Sequence, residues 1–264
     1  MKQYRYVKLD PTGNITCLVL DPADPEARRR LTAALLRQCE QVAYLQPPEN
    51  PGTAAAIHLM GGEFCGNAAM ASAAWLVREE MQPGETRTFL LEVSGAAEPV
   101  LCTVRRTGDC FEGTVEMPGI PEIREESFEG FPITLVRMQG IVHLIPEGKI
   151  PEKKQAEDLL RRIAAGLPDE AVGLLQWDRE TQEMLPLVYV RGSESLVWEH
   201  GCGSGSAAVG VREALRNGSG KHVIAVRQPG GIIEAAAEVQ DGKILSVKIT
   251  GQIRLEAERV IEIS

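Results

Sequence analysis

Two cysteines stand in near-matching contexts, one in each half of the chain. Cys65 lies in Phe64-Cys65-Gly66-Asn67-Ala68-Ala69-Met70-Ala71, and Cys202 in Gly201-Cys202-Gly203-Ser204-Gly205-Ser206-Ala207-Ala208. Each is followed by glycine, a small polar residue and an alanine-rich run that reads as a helix. A cysteine so placed stands at a helix N-terminus, where free N–H groups and the helix dipole favour negative charge. That position suits a thiolate, and it suits the carboxylate of a ligand. Two facing thiols around one bound carboxylate would remove a proton from one side of a carbon and return one to the other. The amides around Gly66-Asn67 and Gly203-Ser204 are candidates for holding the charge that grows on the carboxylate, and the glycines let the backbone come close. This is racemisation or epimerisation without a cofactor, one sulfur acting as base and the other as acid. The competing reading is a pair of buried cysteines that pack as small apolar side chains.

The elements that must position these residues repeat. In the first half, strands are expected over 4–9 and 15–20, a helix over 24–39, a strand over 54–60 and a helix from Cys65 to about 80. Strands over 89–93, 100–106 and 111–117 follow. In the second half, strands are expected over 133–138 and 141–145, a helix over 154–165, a strand over 185–190 and a helix from Cys202 to about 216. Strands over 223–227, 232–239 and 243–251 follow. The order is the same twice, and the two cysteines lie 137 positions apart, about half of 264 residues. Such an internal duplication argues against two merely packed cysteines. It predicts an α/β (α+β) chain of two pseudo-symmetric lobes, residues 1–128 with Cys65 and residues 129–256 with Cys202. The acidic 122–130 stretch is the boundary, and the last strand, near 257–264, returns to the first lobe.

Other candidates carry less signal. Arg191 ends an apolar strand and leads into Gly192-Ser193. It either grips a substrate carboxylate or polar side chain, or sits solvated at a strand end. Asn14 follows Gly13 in a turn, and either faces the cleft or serves the turn alone. Glu63, Glu199 and His200 flank the cysteines and either tune the thiols or are solvated loop residues. Cys17, Cys39, Cys102 and Cys110 read as core or surface thiols.

Composition bounds the rest. A net charge of −9 argues against nucleic acid or an anionic membrane as partner. No run of about 18 apolar residues and no leader pattern appears, so a cytoplasmic protein with reduced thiols is expected. No Cys-x-x-Cys or His-x-x-x-His pair exists among six cysteines and four histidines, so no metal site is expected, and the two-thiol chemistry calls for no cofactor.

On these residues the chain resembles the diaminopimelate epimerase superfamily of cofactor-independent racemases over nearly its full length. Gly13-Asn14 looks like the family's opening turn. Cys65-Gly66-Asn67 and Cys202-Gly203-Ser204-Gly205 match its two catalytic motifs. Arg191-Gly192 and Val226-Arg227-Gln228-Pro229-Gly230-Gly231 match the segments before and after the second motif. The resemblance implies two lobes, each a sheet wrapped round a central helix. It also implies acid and base roles for Cys65 and Cys202, and carboxylate binding at both helix starts. It is compatible with a homodimer, although no interface signal stands in the sequence. Departures fall at the distal pocket: Gly140-Ile141-Val142-His143 replaces Gly-Asn-Pro-His, and no asparagine stands near Ala171-Val172-Gly173. The stretches Asp10–Thr16 and Gly61–Ala68 are more similar to the histidine racemases of opine-type metallophore pathways. Histidine is therefore the expected substrate. Two alternatives stay open: a diaminopimelate epimerase with an altered pocket, and a non-catalytic amino-acid-binding or redox-sensing protein.

Overall fold

The computed structural model describes the chain apart from Glu129, Lys149, Pro151, Ser193 and Ser264. Its contacts divide it into two compact units. The first is Met1–Pro118 with Thr250–Ser264, and the second is Gly119–Ile249.

In the first unit, β1 (Lys2–Pro11) turns through Thr12 and Gly13 into β2 (Thr16–Val19), which it pairs antiparallel. The Asp10 carboxylate closes that turn by accepting the Gly13 N–H at 2.7 Å. Helix α1 (Pro25–Leu35) starts where expected: the Asp24 carboxylate accepts the Ala27 N–H at 2.9 Å, and proline opens the first turn. β3 (Gln41–Gln46) lies parallel to β2, and β4 (Thr53–Leu59) lies antiparallel to β3. Then come α2 (Gly66–Val77), β5 (Thr86–Val93) parallel to β4, and the antiparallel β6 (Val100–Thr107) and β7 (Cys110–Glu116). Leu31 and Leu35 of α1 pack with Tyr4, Tyr6, Cys17, Val19, Val42 and Tyr44 on one face of the sheet. Helix α2 packs against β1, β2, β5, β6 and β7, and is buried from Gly66 through Trp75. A helix apolar all round belongs inside a core.

In the second unit, β8 (Glu122–Phe128), β9 (Phe131–Met138) and β10 (Ile141–Pro146) form an antiparallel meander. After α3 (Lys153–Gly166), β11 (Ala171–Asp178) lies parallel to β10 with His143 opposite Gly173. β12 (Glu183–Val190) and β13 (Ser195–Trp198) continue antiparallel. Helix α4 (Gly203–Asn217) then leads to β14 (Gly220–Gln228), which meets β12 in parallel, and to β15 (Gly231–Gln240), antiparallel to β14. β16 (Lys243–Leu255) carries the chain back to the first unit, where its end and β17 (Arg259–Ile263) both pair with β1. Helix α3 covers the face formed by Ile133, Leu135, Val142, Leu144, Val172 and Leu174. Alternation along β10 turns His143 to the other face, where α4 packs.

The two units repeat strand by strand. Antiparallel, parallel, antiparallel, parallel, antiparallel is the pairing order from β1 to β6, and again from β9 through β12 and β14 to β15. The expected doubled α+β fold, a largely antiparallel sheet round a central helix, is what forms.

Four strands lie outside the expected set. Gln41–Tyr44 of β3 and Val172–Leu175 of β11 are buried on both faces, so their sequence does not alternate. β13 is only four residues long. β8 is an exposed, charged strand that composition alone marks as a linker. Helix α1 stops at Leu35 rather than 39, the Gln38 N–H turning back to the Leu35 carbonyl. Among the described residues no helix is long and apolar enough to cross a membrane, a statement that leaves strands aside.

Candidate active site

Each cysteine is the N-cap of its unit's central helix. Cys65 is extended (φ −133°, ψ 112°), and its carbonyl accepts the first helical bond from Ala69 at 3.0 Å. Cys202 repeats this (φ −111°, ψ 106°) with Ser206, also at 3.0 Å. Gly66 and Asn67 in one unit, and Gly203 and Ser204 in the other, fill the first helical turn. Their N–H groups are among those a helix leaves without intrahelical acceptors.

The loop into Cys65 is braced from below. The Ser94 hydroxyl accepts the Leu59 N–H and donates to the Glu63 carbonyl, both at 2.9 Å. Gly95 follows at φ 76°, and a Cβ there would lie 2.3 Å from the Phe64 nitrogen. Only glycine meets both demands. The sulfur itself meets a side-chain amide. Gln41 Nε2 donates to Cys65 Sγ at 3.2 Å, to Thr16 Oγ1 at 3.0 Å, and to Asn14 Oδ1. Asn14 Nδ2 in turn donates to Glu40 Oε2 at 2.9 Å. Asn14 therefore reaches the cysteine through Gln41.

Around Cys202 the backbone is clamped. Gln228 Oε1 accepts the Cys202 N–H at 2.7 Å, while Gln228 Nε2 donates to Ser206 Oγ at 2.8 Å. Ser206 Oγ donates to the Cys202 carbonyl, also at 2.8 Å. Cys202 Sγ accepts the Gly205 N–H at 3.4 Å and lies 3.7 Å from Ser204 Oγ. Ser204 Oγ stands 2.9 Å from His143 Nε2. Burial, then the nearby Glu199 carboxylate, hold the Cys202 thiol well above its ordinary range; the Gly205 amide and Ser204 hydroxyl pull the other way. Burial alone pulls His143 down to about 3, so its imidazole is neutral.

The expected residues thus fall into two groups, Asn14, Cys65, Gly66 and Asn67 in one unit and Cys202, Gly203 and Ser204 in the other. Arg191, expected either to grip a substrate or to sit solvated at a strand end, makes contacts within its own unit. Its guanidinium donates to the Ala164 and Leu167 carbonyls, both at 2.7 Å, and caps the C-terminus of α3. Its neighbour Ser193 lies outside the described residues. Glu199 acts on Cys202, whereas Glu63 contributes its carbonyl and His200 accepts the Gly230 N–H at 2.8 Å. None of the six cysteines is in a disulfide, and burial pushes Cys102 up to about 12. Among the described residues no cluster of three His, Cys, Asp or Glu side chains is placed to hold a metal.

Three residues of the site carry little signal in the sequence. Gln41 opens β3, and a polar residue at the head of a buried apolar strand is the one sign of it. Gln228 lies inside a segment that reads only as a hairpin. His143 stands out only as part of a departing motif.

A mixed sheet round a buried helix, built twice with a cysteine heading each helix, is the diaminopimelate epimerase-like fold of amino-acid racemases and epimerases. A hydroxyproline epimerase from Agrobacterium vitis shares it, with a TM-score of 0.71 over 99% of this chain and 91% of that one, at 15% identity. A histidine racemase of Fusobacterium nucleatum is 28% identical over 96% of this chain and 95% of its own. The histidine racemase of Staphylococcus aureus is 28% identical over 86% of each. Residues 3–261 match the family described as histidine racemase CntK N-terminal domain. The chain belongs to that family, and it is an isomerase of the amino-acid racemase class.

Proposed function

We propose that this enzyme racemises histidine by a two-base mechanism, with Cys65 and Cys202 acting on opposite faces of one Cα. The observation that carries the reading is the repeated half-site: a cysteine heading a buried helix, glycine and a small polar residue after it, and hydrogen bonds aimed at the sulfur. Histidine as substrate is supported by the family description and by the names of the relatives.

The cycle needs two sulfurs in opposite protonation states. Burial and Glu199 keep the proton on Cys202 at neutral pH. The Gln41 amide faces Cys65 with a donor, which is what an ionised sulfur uses. Cys65 as thiolate takes the Cα proton, and the bonding pair moves into the substrate carboxylate. The first-turn amides at Gly66-Asn67 and Gly203-Ser204 hold that charge, each such donor contributing about 10²–10³ in rate. Cys202 gives its proton to the other face of Cα. The sulfurs finish with their states exchanged, ready for the opposite enantiomer. The reaction takes place in the cytoplasm, where the six cysteines remain reduced.

Chiral chromatography of purified protein incubated with single amino acids tests the substrate. L-Histidine and D-histidine should each converge to a one-to-one mixture without added cofactor. Inert histidine alongside epimerised LL-diaminopimelate would overturn the assignment.

A further inference from the structure

His143 is a wholly buried polar side chain outside the two cysteine motifs. Its Nε2 lies 2.9 Å from Ser204 Oγ, and Ser204 Oγ lies 3.7 Å from Cys202 Sγ. Nδ1 points the other way, to Gly173 on the neighbouring strand, where a Cβ would stand 2.3 Å from it. Among the described residues no hydrogen-bond partner meets Nδ1. A buried orphan N–H is costlier than a buried orphan lone pair, so the ring proton belongs on Nε2. The Nε2–H then donates to Ser204 Oγ. With that lone pair taken, the hydroxyl hydrogen is left to point at the sulfur.

We propose that His143 is a positioning residue of the Cys202 half-site, acting through Ser204 to hold one O–H donor on the sulfur. The imidazole exchanges no proton in the reaction. Gly173 belongs to the same device, because any side chain there would displace the ring. The burial that keeps the imidazole neutral fits a fixed donor rather than a proton carrier. The proposal deepens the two-cysteine reading and rests on it.

The test reads thiol chemistry, so its outcome does not depend on histidine being the substrate. Full-length protein is treated with methyl methanethiosulfonate at one pH, and labelling of Cys202 and Cys65 is followed by peptide mass spectrometry. An O–H donor favours thiolate, so Ser204→Ala should slow Cys202 labelling about 3- to 10-fold with Cys65 unchanged. His143→Phe should match it, and the double variant should be no slower than Ser204→Ala alone. His143→Gln, which restores an N–H, should recover part of the rate. Gly173→Ala, which moves the ring without removing it, should also slow Cys202. Equal labelling of Cys202 in wild type, His143→Phe and Gly173→Ala would overturn the proposal, as would effects of His143→Phe and Ser204→Ala that simply multiply. Loss of both cysteines' selectivity in every variant, reporting general unfolding, would overturn it too. Absence of histidine racemisation with the labelling pattern intact would instead sink the substrate assignment and leave the device standing.

Discussion

Cys65 and Cys202 head helices of the same kind, but their sulfurs meet different neighbours. Cys65 is half-buried and faces an amide from β3, whereas Cys202 is buried beside a carboxylate and a hydroxyl backed by a histidine. The backbone repeats because strand pairing and the helix-capping turn repeat. The side chains around each sulfur are free to diverge without disturbing that frame. Under the proposed two-base mechanism the divergence is an advantage. Two identical thiols would share one proton between equal states, whereas unequal surroundings select a single resting arrangement.

Breaking either sulfur should be the largest effect. Cys65→Ala and Cys202→Ala should each lower histidine racemisation by at least about 10³-fold, the scale of a lost acid or base. Chiral chromatography checks it.

The second effect is confined to one unit. His143 has a folded-state value of about 3 against 6.5 for the free imidazole, so below about pH 6.5 the unfolded chain binds a proton that the folded chain refuses. Stability contributed by this group is fully present above pH 6.5. It falls by about 1.4 kcal/mol per pH unit on acidification, until pH nears 3. Urea unfolding between about pH 7 and pH 4 should lose stability more steeply in wild type than in His143→Phe, the difference approaching that slope.

The Cys65 side should answer to Gln41. Gln41→Leu removes the amide donor, worth about 1.5–3 kcal/mol to a charged acceptor, and kcat should fall about 10-fold or more with Cys202 labelling unchanged. An equal fall in the labelling of both cysteines would blur the distinction between the half-sites.

The smallest effect separates a cap from a substrate contact. Arg191→Ala removes two bonds to the end of α3 and should cost about 1–3 kcal/mol in thermal unfolding, with KM for histidine within about twofold of wild type. A large rise in KM with unchanged stability would return Arg191 to the substrate.

What is legible in the sequence is what depends on local pattern. The two Cys-Gly-polar starts, the alanine-rich helices and the doubled order of elements are periodic or motif-like, and they lead to the fold and to both cysteines. The partners of those cysteines are not legible, because each is brought in by long-range strand pairing. Gln41 lies on a strand whose two faces are both buried, so no alternation announces it. Gln228 reaches Cys202 only because β14 ends beside the start of α4. The contacts of Arg191 are hidden for the same reason: its position before the second motif points to substrate or solvent, whereas the return of the chain from α3 sets two carbonyls within its reach.

The most direct test of the two-base account is solvent deuterium exchange at Cα, followed by proton NMR with L- and D-histidine in D₂O. Wild-type enzyme should place deuterium in the newly formed enantiomer from the first turnovers, whichever enantiomer is supplied, and neither Cys65→Ala nor Cys202→Ala should complete the inversion. Inversion that proceeds at wild-type rate after either sulfur is removed, or that retains the original Cα proton in the product throughout, would contradict the account.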